Sequence, residues 1–501
     1  MPIWSPAFFG SAAGSSGYVV QDSVWFDGSD DSLSLSFPSA GTEETWTFSC
    51  WVKRGSIGVE QNIFGGLTSN KGYMKFDSSD RLDIMNENAD GSRNSQRITN
   101  RVYRDTSSWL HLVVQNNTAG ESTASDRIKV WVNGELLSGS ADFYGQANLN
   151  EDEAGLVNTA NTHYFGRNSS AQYLNAYLAD AIFIDGIANV ATDFGEYSSD
   201  TGIWIPKQYS GSYGSTGFKL NFSDASSLGA DTSGNGNNFT VNGSMATSQQ
   251  VTDSPTNDSD IGNYATYNPI ASSNRKGGLS NGNLKASGNG KDNFSTMNIP
   301  LTGKWYFEAT LTATGADKDA VGVAEALADQ MSEYGSKVVV LYAKDGTKFL
   351  GSSWASYNAS YVAGDVIGVY VNAGQVTFYK NNVSQGTCGS AFTTQCFATT
   401  QNSHSSTVWD LNFGQKGFTY TPPTGAKALN TANFAEPTVT DPSAFYQNKI
   451  YTGNGSTNAL TFDGNSDMQP DFVWIKDRSE ADSHALFDSV RGVQKYLQPN
   501  T

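Results

Sequence analysis

Acid–base cleavage of a glycosidic bond needs two carboxylates, about 5–5.5 Å apart for retention or about 6.5–9.5 Å apart for inversion. Glu151-Asp152-Glu153 offers an i, i+2 pair that would share one strand face, but it lies in the polar run Asn148–Gly155 and reads as a solvated loop. Glu43 and Glu44 are adjacent and point to opposite faces of any extended segment. The four histidines, His111, His163, His404 and His484, are scattered and have no metal-ligand spacing to a second His or Cys. His111 alternates with Trp109 and Val113, which makes it a sheet residue. Asp482-Ser483-His484 are neighbours in sequence, which does not make a triad, and no Gly-x-Ser-x-Gly elbow is present. Calcium chemistry has more to draw on. Asp27, Asp30 and Asp31 share one turn, and Asp22, Asp180 and Asp185 add hard oxygen ligands, although the EF-hand pattern is absent and Asp-Gly turns are ordinary hairpin chemistry. Trp354, Tyr357 and Tyr361 lie in the Ser/Asn/Ala-rich stretch Gly351–Gly364 at a spacing that fits no single strand face. They could form a loop platform for a sugar ring, although the cover of a sandwich edge or a protein interface is the more ordinary use of such residues.

The elements that would position these groups are strands. Trp46, Phe48, Cys50 and Val52 alternate with Thr45, Thr47, Ser49 and Lys53, with Trp51 the one large residue on the second face. Ile128, Val130 and Val132 alternate with Lys129, Trp131 and Asn133 before Asn133-Gly134 breaks the run. A period of two predicts half-buried strands. With Phe64, Tyr164-Phe165 and Ala181–Ile184 it predicts two antiparallel sheets packed face to face.

A chain of 501 residues needs two to four domains. It is 38% hydrophobic and only 16% charged, with 51 glycines, so neutral polar groups cover its surface as in all-β extracellular or virion proteins. A net charge of −18 argues against nucleic acid, whose binders carry a basic footprint. Three cysteines make no disulfide scaffold; Cys50 reads as a buried thiol, and Cys388 and Cys396 flank one loop where an oxidising compartment would allow a bridge. No apolar run approaches the roughly 20 residues of a membrane helix. The start lacks a basic region and carries two prolines, so it is not a secretory signal. An extracellular site of action would then follow from another route, such as lysis of an infected host.

Residues 1–17, with Trp4, Phe8 and Phe9 ahead of a small-residue run, read either as a docking peptide for a larger assembly or as a frayed terminus. Residues 18–222 read as the first sandwich. Its motifs "VWFDGSDDSLSLS", "TWTFSCWVKRG", "WLHLVVQN", "IKVWVNGELL" and "YLADAIFIDGIA" resemble the laminin-G / concanavalin-A-like jelly-roll domains of tailed-phage structural proteins. "GIWIPKQYSGSYGSTGFKLNFSD", "DTSGNGNNF" and "DSPTNDSDIGNYATYNP" extend that resemblance to residue 269. It implies a rim where such domains often hold Ca²⁺, for which Asp27, Asp30 and Asp31 are the candidates. The strand-borne Glu-x-Asp-x-x-Glu run of laminarinase-like enzymes of this fold is missing. Residues 223–300, rich in Ser, Gly and Asn, read as a linker with a few strands. In residues 301–425, "GKWYFEATL", "GDVIGVYVNAGQVTFYKNN" and "WDLNFGQKGFTYTPPTG" resemble a SPRY domain, a family that recognises proteins or ligands through loops and has no catalytic residues to carry over. Residues 426–501 resemble the opening of a further module and hold too few strands to close a sandwich.

The expected fold class is therefore all-β, tandem antiparallel β-sandwiches with short terminal segments. The expected protein is a non-enzymatic virion component, a tail fibre, appendage or surface protein, assembled in the host cytoplasm. Trp4, Phe8 and Phe9 would anchor it to other virion proteins. Its modules would meet host-surface glycan or protein, in a homo-oligomer for which fibres suggest a trimer, without nucleic acid or membrane insertion. A capsid-decoration protein and a polysaccharide depolymerase are the alternatives.

Overall fold

In the computed structural model, Trp46, Phe48, Cys50 and Val52 enter one core from the strand Thr45–Arg54, as their alternation predicts. The structure describes residues 17–500 except 67–71, 169–171, 199–200, 257, 259–260, 271–276, 289–290, 316–317, 326–337, 352, 435–438, 440–441, 463, 465–467 and 493. Trp4, Phe8 and Phe9 lie outside the described residues. Residues 1–196 and 204–437 form one unit, and residues 197–203 and 438–501 a second.

The first unit holds two sandwiches. In the first, one sheet runs edge to edge through Glu135–Leu137, Ile128–Val132, Leu110–Asn117, Thr45–Arg54, Asn175–Asp185, Ser23–Asp27 and Gln250–Val251, with Phe218–Leu220 also paired to Asn175–Asp185. The facing sheet runs through Phe143–Ala147, Asn94–Val102, Arg81–Glu87, Gly72–Phe76, Gln61–Gly66, Thr162–Phe165, Ser32–Ser36 and Thr240–Asn242. Phe48 stacks on Phe64 at 5.1 Å between them, and Phe165, Phe183 and Phe218 close around that pair.

The expectation of half-buried strands fails for the central sheet. Every residue of Thr45–Arg54 after Thr45 is buried, and so is every residue of Asn175–Asp185 after Asn175. A second aromatic layer, with Trp25, Trp51, Trp109, Trp131, Tyr177 and Trp204, covers the face expected to meet water. The polar residues on that face have found partners. Thr47 Oγ1 donates to Ile187 O at 2.8 Å, and Ser49 Oγ lies 2.8 Å from His111 Nε2. Lys53 is 1% exposed, and its Nζ donates to Asp253 Oδ2 at 2.7 Å, Asn263 Oδ1 at 2.7 Å and Tyr264 O at 2.9 Å. Asp253 Oδ1 in turn accepts from Trp109 Nε1 at 3.1 Å.

Residues 223–300 are thus not the linker that their composition suggests. Thr240–Asn242 and Gln250–Val251 complete the two sheets of the first sandwich, while Gly278–Ser280, Lys285–Ser287 and Lys291–Ile299 belong to the second. Apart from Lys291–Ile299, these strands have two or three residues, and among Ser, Gly and Asn such strands carry no readable period. The remaining strands of the second sandwich lie in residues 304–428, in a sheet around Lys304–Ala313 and a facing sheet around Cys396–Asn402. In the hairpin Val366–Asn372/Gln375–Lys380, the turn residues Ala373 and Gly374 both have positive φ, 45° and 79°. Cys388 and Cys396 are buried free thiols on strands of opposite sheets, so no bridge spans their loop. Asn283 Nδ2 donates to Gly55 O at 2.7 Å and Thr252 N to Gln415 O at 3.0 Å, which ties the second sandwich to the first beside Lys53.

The second unit carries a sheet of Phe472–Ile475, Ala485–Asp488 and Tyr496–Leu497, and among its described residues from 439 to 500 none is buried.

Cutting one partner from a buried ion pair leaves the other charge uncompensated. Lys53→Met is expected to destabilise the first unit by about 3–5 kcal/mol in denaturant titration, and Lys53→Met/Asp253→Leu by clearly less. Equal losses in both variants would contradict the pairing.

Candidate functional site

The strand Asn175–Asp185 is bulged at its centre. Ala179 pairs with Trp51 and Ile182 with Ser49, so Asp180 and Ala181 together face Cys50. Asp180 takes the positive φ of 44° that the extra residue requires. The bulge gives Asp180 to the outer face, where Lys219 arrives from the neighbouring strand Phe218–Leu220 opposite Ile182. Lys219 Nζ is 3.1 Å from Asp180 Oδ1 and donates to Tyr18 Oη at 2.8 Å, while Tyr18 Oη donates to Asp180 Oδ1 at 2.9 Å. These three groups, two of them 162 and 201 residues from Tyr18, close a triangle.

The triangle forms one wall of a cavity of about 330 Å³, at the lower end of the size range of small-molecule sites. Tyr209 and Tyr213 form another, meeting edge to face at 5.3 Å, with Tyr209 stacked on Phe194 at 5.1 Å. Gln208, Asn221, Ser223 and Thr232 supply amides and hydroxyls around the mouth. Burial, with the Asp180 charge added, raises Tyr18 far above the ordinary phenol value and pushes Tyr213 up to about 12. Both therefore keep their protons at neutral pH. Among the described residues lining the cavity Asp180 is the one carboxylate, and glycosidic hydrolysis calls for two.

The sequence-predicted groups fall elsewhere. Asp27, Asp30 and Asp31 do come together, each offering an oxygen within 4.8 Å of the others. Asp27 Oδ1 accepts from the backbone N–H groups of Ser29, Asp30 and Asp31, and Asp27 Oδ2 from the Ser29 hydroxyl. Burial opposes these bonds, but they outweigh it and hold Asp27 below the usual carboxylate range. Asp31 is 1% exposed; its Oδ2 accepts from Asp27 N and Gln249 Nε2, while Oδ1 is buried without a hydrogen-bond donor. Burial pushes Asp31 up to about 6. An orphaned carboxylate oxygen beside two further carboxylates fits a hard cation, so the residues present suit Ca²⁺. Asp185 is spent on Thr42, Asn158 and Ser215, and Asp180 on the triangle.

Trp354, Tyr357 and Tyr361 form no shared platform. Tyr361 is 2% exposed and directs its hydroxyl to Asp319 O and Tyr342 O, each at 2.9 Å. Tyr357 packs against Tyr342 and donates to Gly386 O. Trp354 belongs to the strand Ser353–Ser356, not a loop, and packs on Phe349 with the Lys318 ammonium 4.7 Å above its ring. Three phenolic or indole groups so engaged serve packing.

Ser49 and His111 have the separation of a nucleophile and its base, but the wrong proton. Trp204 Nε1 can only donate, and it donates to His111 Nδ1 at 2.9 Å, so Nε2 carries the hydrogen that points to Ser49. Burial also takes His111 down to about 3. Glu151 and Glu153 sit on a turn, Glu153 capped by Asn88 and Asn150 N. His484 Nδ1 accepts from Trp474 Nε1 at 2.7 Å.

Residues 27–187 match the family model of the concanavalin A-like lectin/glucanases superfamily, and residues 304–415 that of the SPRY domain. The first sandwich is thus similar to concanavalin-A-like domains and the second to SPRY domains, in a chain that is nearly all-β. Residues 441–501 match a domain of unknown function, DUF7483. Among solved structures, domains LG4-5 of the mouse laminin α1 chain are similar at 10% identity, over 86% of this chain and 91% of that one, with a TM-score of 0.27. The heptameric SAP-like pentraxin of Limulus polyphemus is similar at 14% identity, over 33% and 77%, with a TM-score of 0.24. The SPRY domain of human HERC1 is similar at 12% identity, over 26% and 87%, with a TM-score of 0.21. No curated protein matches the chain.

Proposed function

We propose that this chain is a non-enzymatic surface component of a tailed-bacteriophage particle, a fibre or appendage protein whose first sandwich grips host-surface glycan. The observation that carries the reading is a lectin-type sandwich with an open, tyrosine-lined cavity that can hold a sugar and that has, among the described residues, one carboxylate where hydrolysis calls for two. The order of the phage-like motifs and the small share of charged residues, 16%, support the virion setting. Each grip is weak, and several copies on one particle multiply it by about 10²–10⁴. The purified chain is expected to be retained on immobilised bacterial surface polysaccharides without any rise in reducing ends. Released reducing ends would establish a depolymerase, and an array without retention would remove the glycan.

The acidic turn adds a cation to this reading. Ca²⁺ held by Asp27, Asp30 and Asp31 would neutralise the buried Asp31 Oδ1 and fix the loop between Ser23–Asp27 and Ser32–Ser36. At a Ca²⁺ concentration 100 times Kd the folded state gains about 2.7 kcal/mol. The melting midpoint is expected to rise with Ca²⁺ over a chelator control, and Asp31→Asn to abolish the rise. A midpoint indifferent to Ca²⁺ would show that hydrogen bonds alone hold the turn.

A further inference from the structure

The Tyr18–Asp180–Lys219 triangle is neutral as a whole, and its members are committed to one another. An anionic ligand that took Lys219 from Asp180, 3.1 Å away and 3% exposed, would leave that carboxylate unpaired, and a cationic ligand that took Asp180 would leave the ammonium unpaired. Each exchange strands a desolvated charge. A neutral polyol escapes that cost. Asp180 Oδ1 takes both bonds inside the triangle, which leaves Oδ2 as an acceptor for a hydroxyl. Lys219 Nζ spends donors on Tyr18 and Asp180 and has a third to offer. Tyr213, half-buried and braced edge to face by Tyr209, presents the kind of ring face on which the C–H side of a pyranose lies. The net charge of −18 also repels acidic polysaccharides before they arrive.

From this geometry we infer that the cavity between Tyr18, Asp180, Tyr213 and Lys219 is a binding site for a neutral pyranose, with the ring over Tyr213 and its hydroxyls on Asp180 and Lys219. The inference rests on the glycan-binding reading above and assigns it a place and a ligand class. The site is built from the bulge at Asp180 and from two segments far from it in sequence, Tyr18–Gln21 and Gln208–Thr232.

The test titrates the whole chain with methyl glycosides of glucose, galactose and mannose, and with glucuronic acid as the acidic probe, by saturation-transfer NMR. The same samples then meet the immobilised polysaccharides. Wild type is expected to bind at least one neutral glycoside and to ignore the uronate. Tyr213→Ala is expected to weaken that binding about 2- to 12-fold, the span of one aromatic stacking contact. Tyr18→Phe, which keeps the ring and removes Oη from the triangle, is expected to weaken it as well. Thr232→Trp, at an exposed rim position whose Oγ1 donates to Lys219 O at 3.1 Å, is expected to block it. Polysaccharide retention by wild type that survives in all three variants would overturn the site while leaving the glycan reading intact, and preference for the uronate would overturn the ligand class. Loss of retention in wild type itself would instead sink the broader reading.

Discussion

An ammonium group sealed from water sits where the two sandwiches meet. Lys53 gives its three protons to Asp253, Asn263 and Tyr264, and its neighbours on the same strand face, Thr47, Ser49 and Trp51, are buried with it. A buried pair of this kind adds little net stability over an apolar substitute, because desolvation offsets most of the attraction. Its value lies in register. Lys53 holds Asp253, Asn263 and Tyr264 in place, and next to them Thr252 and Ala265 donate to Gln415 O and Leu429 O of the second sandwich.

The same covering of the outer face shapes the cavity. Ala179 and Ile182 belong to the aromatic layer that also contains Trp51 and Tyr209. The bulge between those two residues puts Asp180 beside Lys219 and Tyr18. Chemistry in this layer is consistently of the holding kind. His111 is a proton donor to Ser49, fixed by Trp204, and its burial removes it from titration near neutrality. Asp180 is neutralised by a lysine and a phenol. Groups satisfied in this way orient a ligand well and activate a nucleophile poorly.

Much of the fold was legible because period-two alternation is local. Trp46, Phe48, Cys50 and Val52 announce the core face by themselves. The opposite face was not legible. Thr47, Ser49 and Lys53 look like solvent residues, and what buries them arrives from Ile187, His111 and Asp253. Trp51 was the one hint of a second layer. The acidic turn was readable since its three carboxylates lie within five residues, whereas the cavity draws on residues 162 and 201 positions apart. Its signal was a carboxylate, Asp180, inside the otherwise apolar run Ala176–Ile184. The Trp354, Tyr357 and Tyr361 spacing misled because a strand followed by a turn can send a tyrosine such as Tyr361 inward once two carbonyls await its hydroxyl.

The described residues from Thr252 to Ala265 form a sealed seam and not a tether. Native-state hydrogen exchange reads this directly at the amides of Thr252, Ser254, Tyr264 and Ala265, which donate to Gln415 O, Gly262 O, Asp253 Oδ1 and Leu429 O. The account predicts that these amides exchange as slowly as those of Thr45–Arg54. Exchange at the rate of an open loop would contradict it.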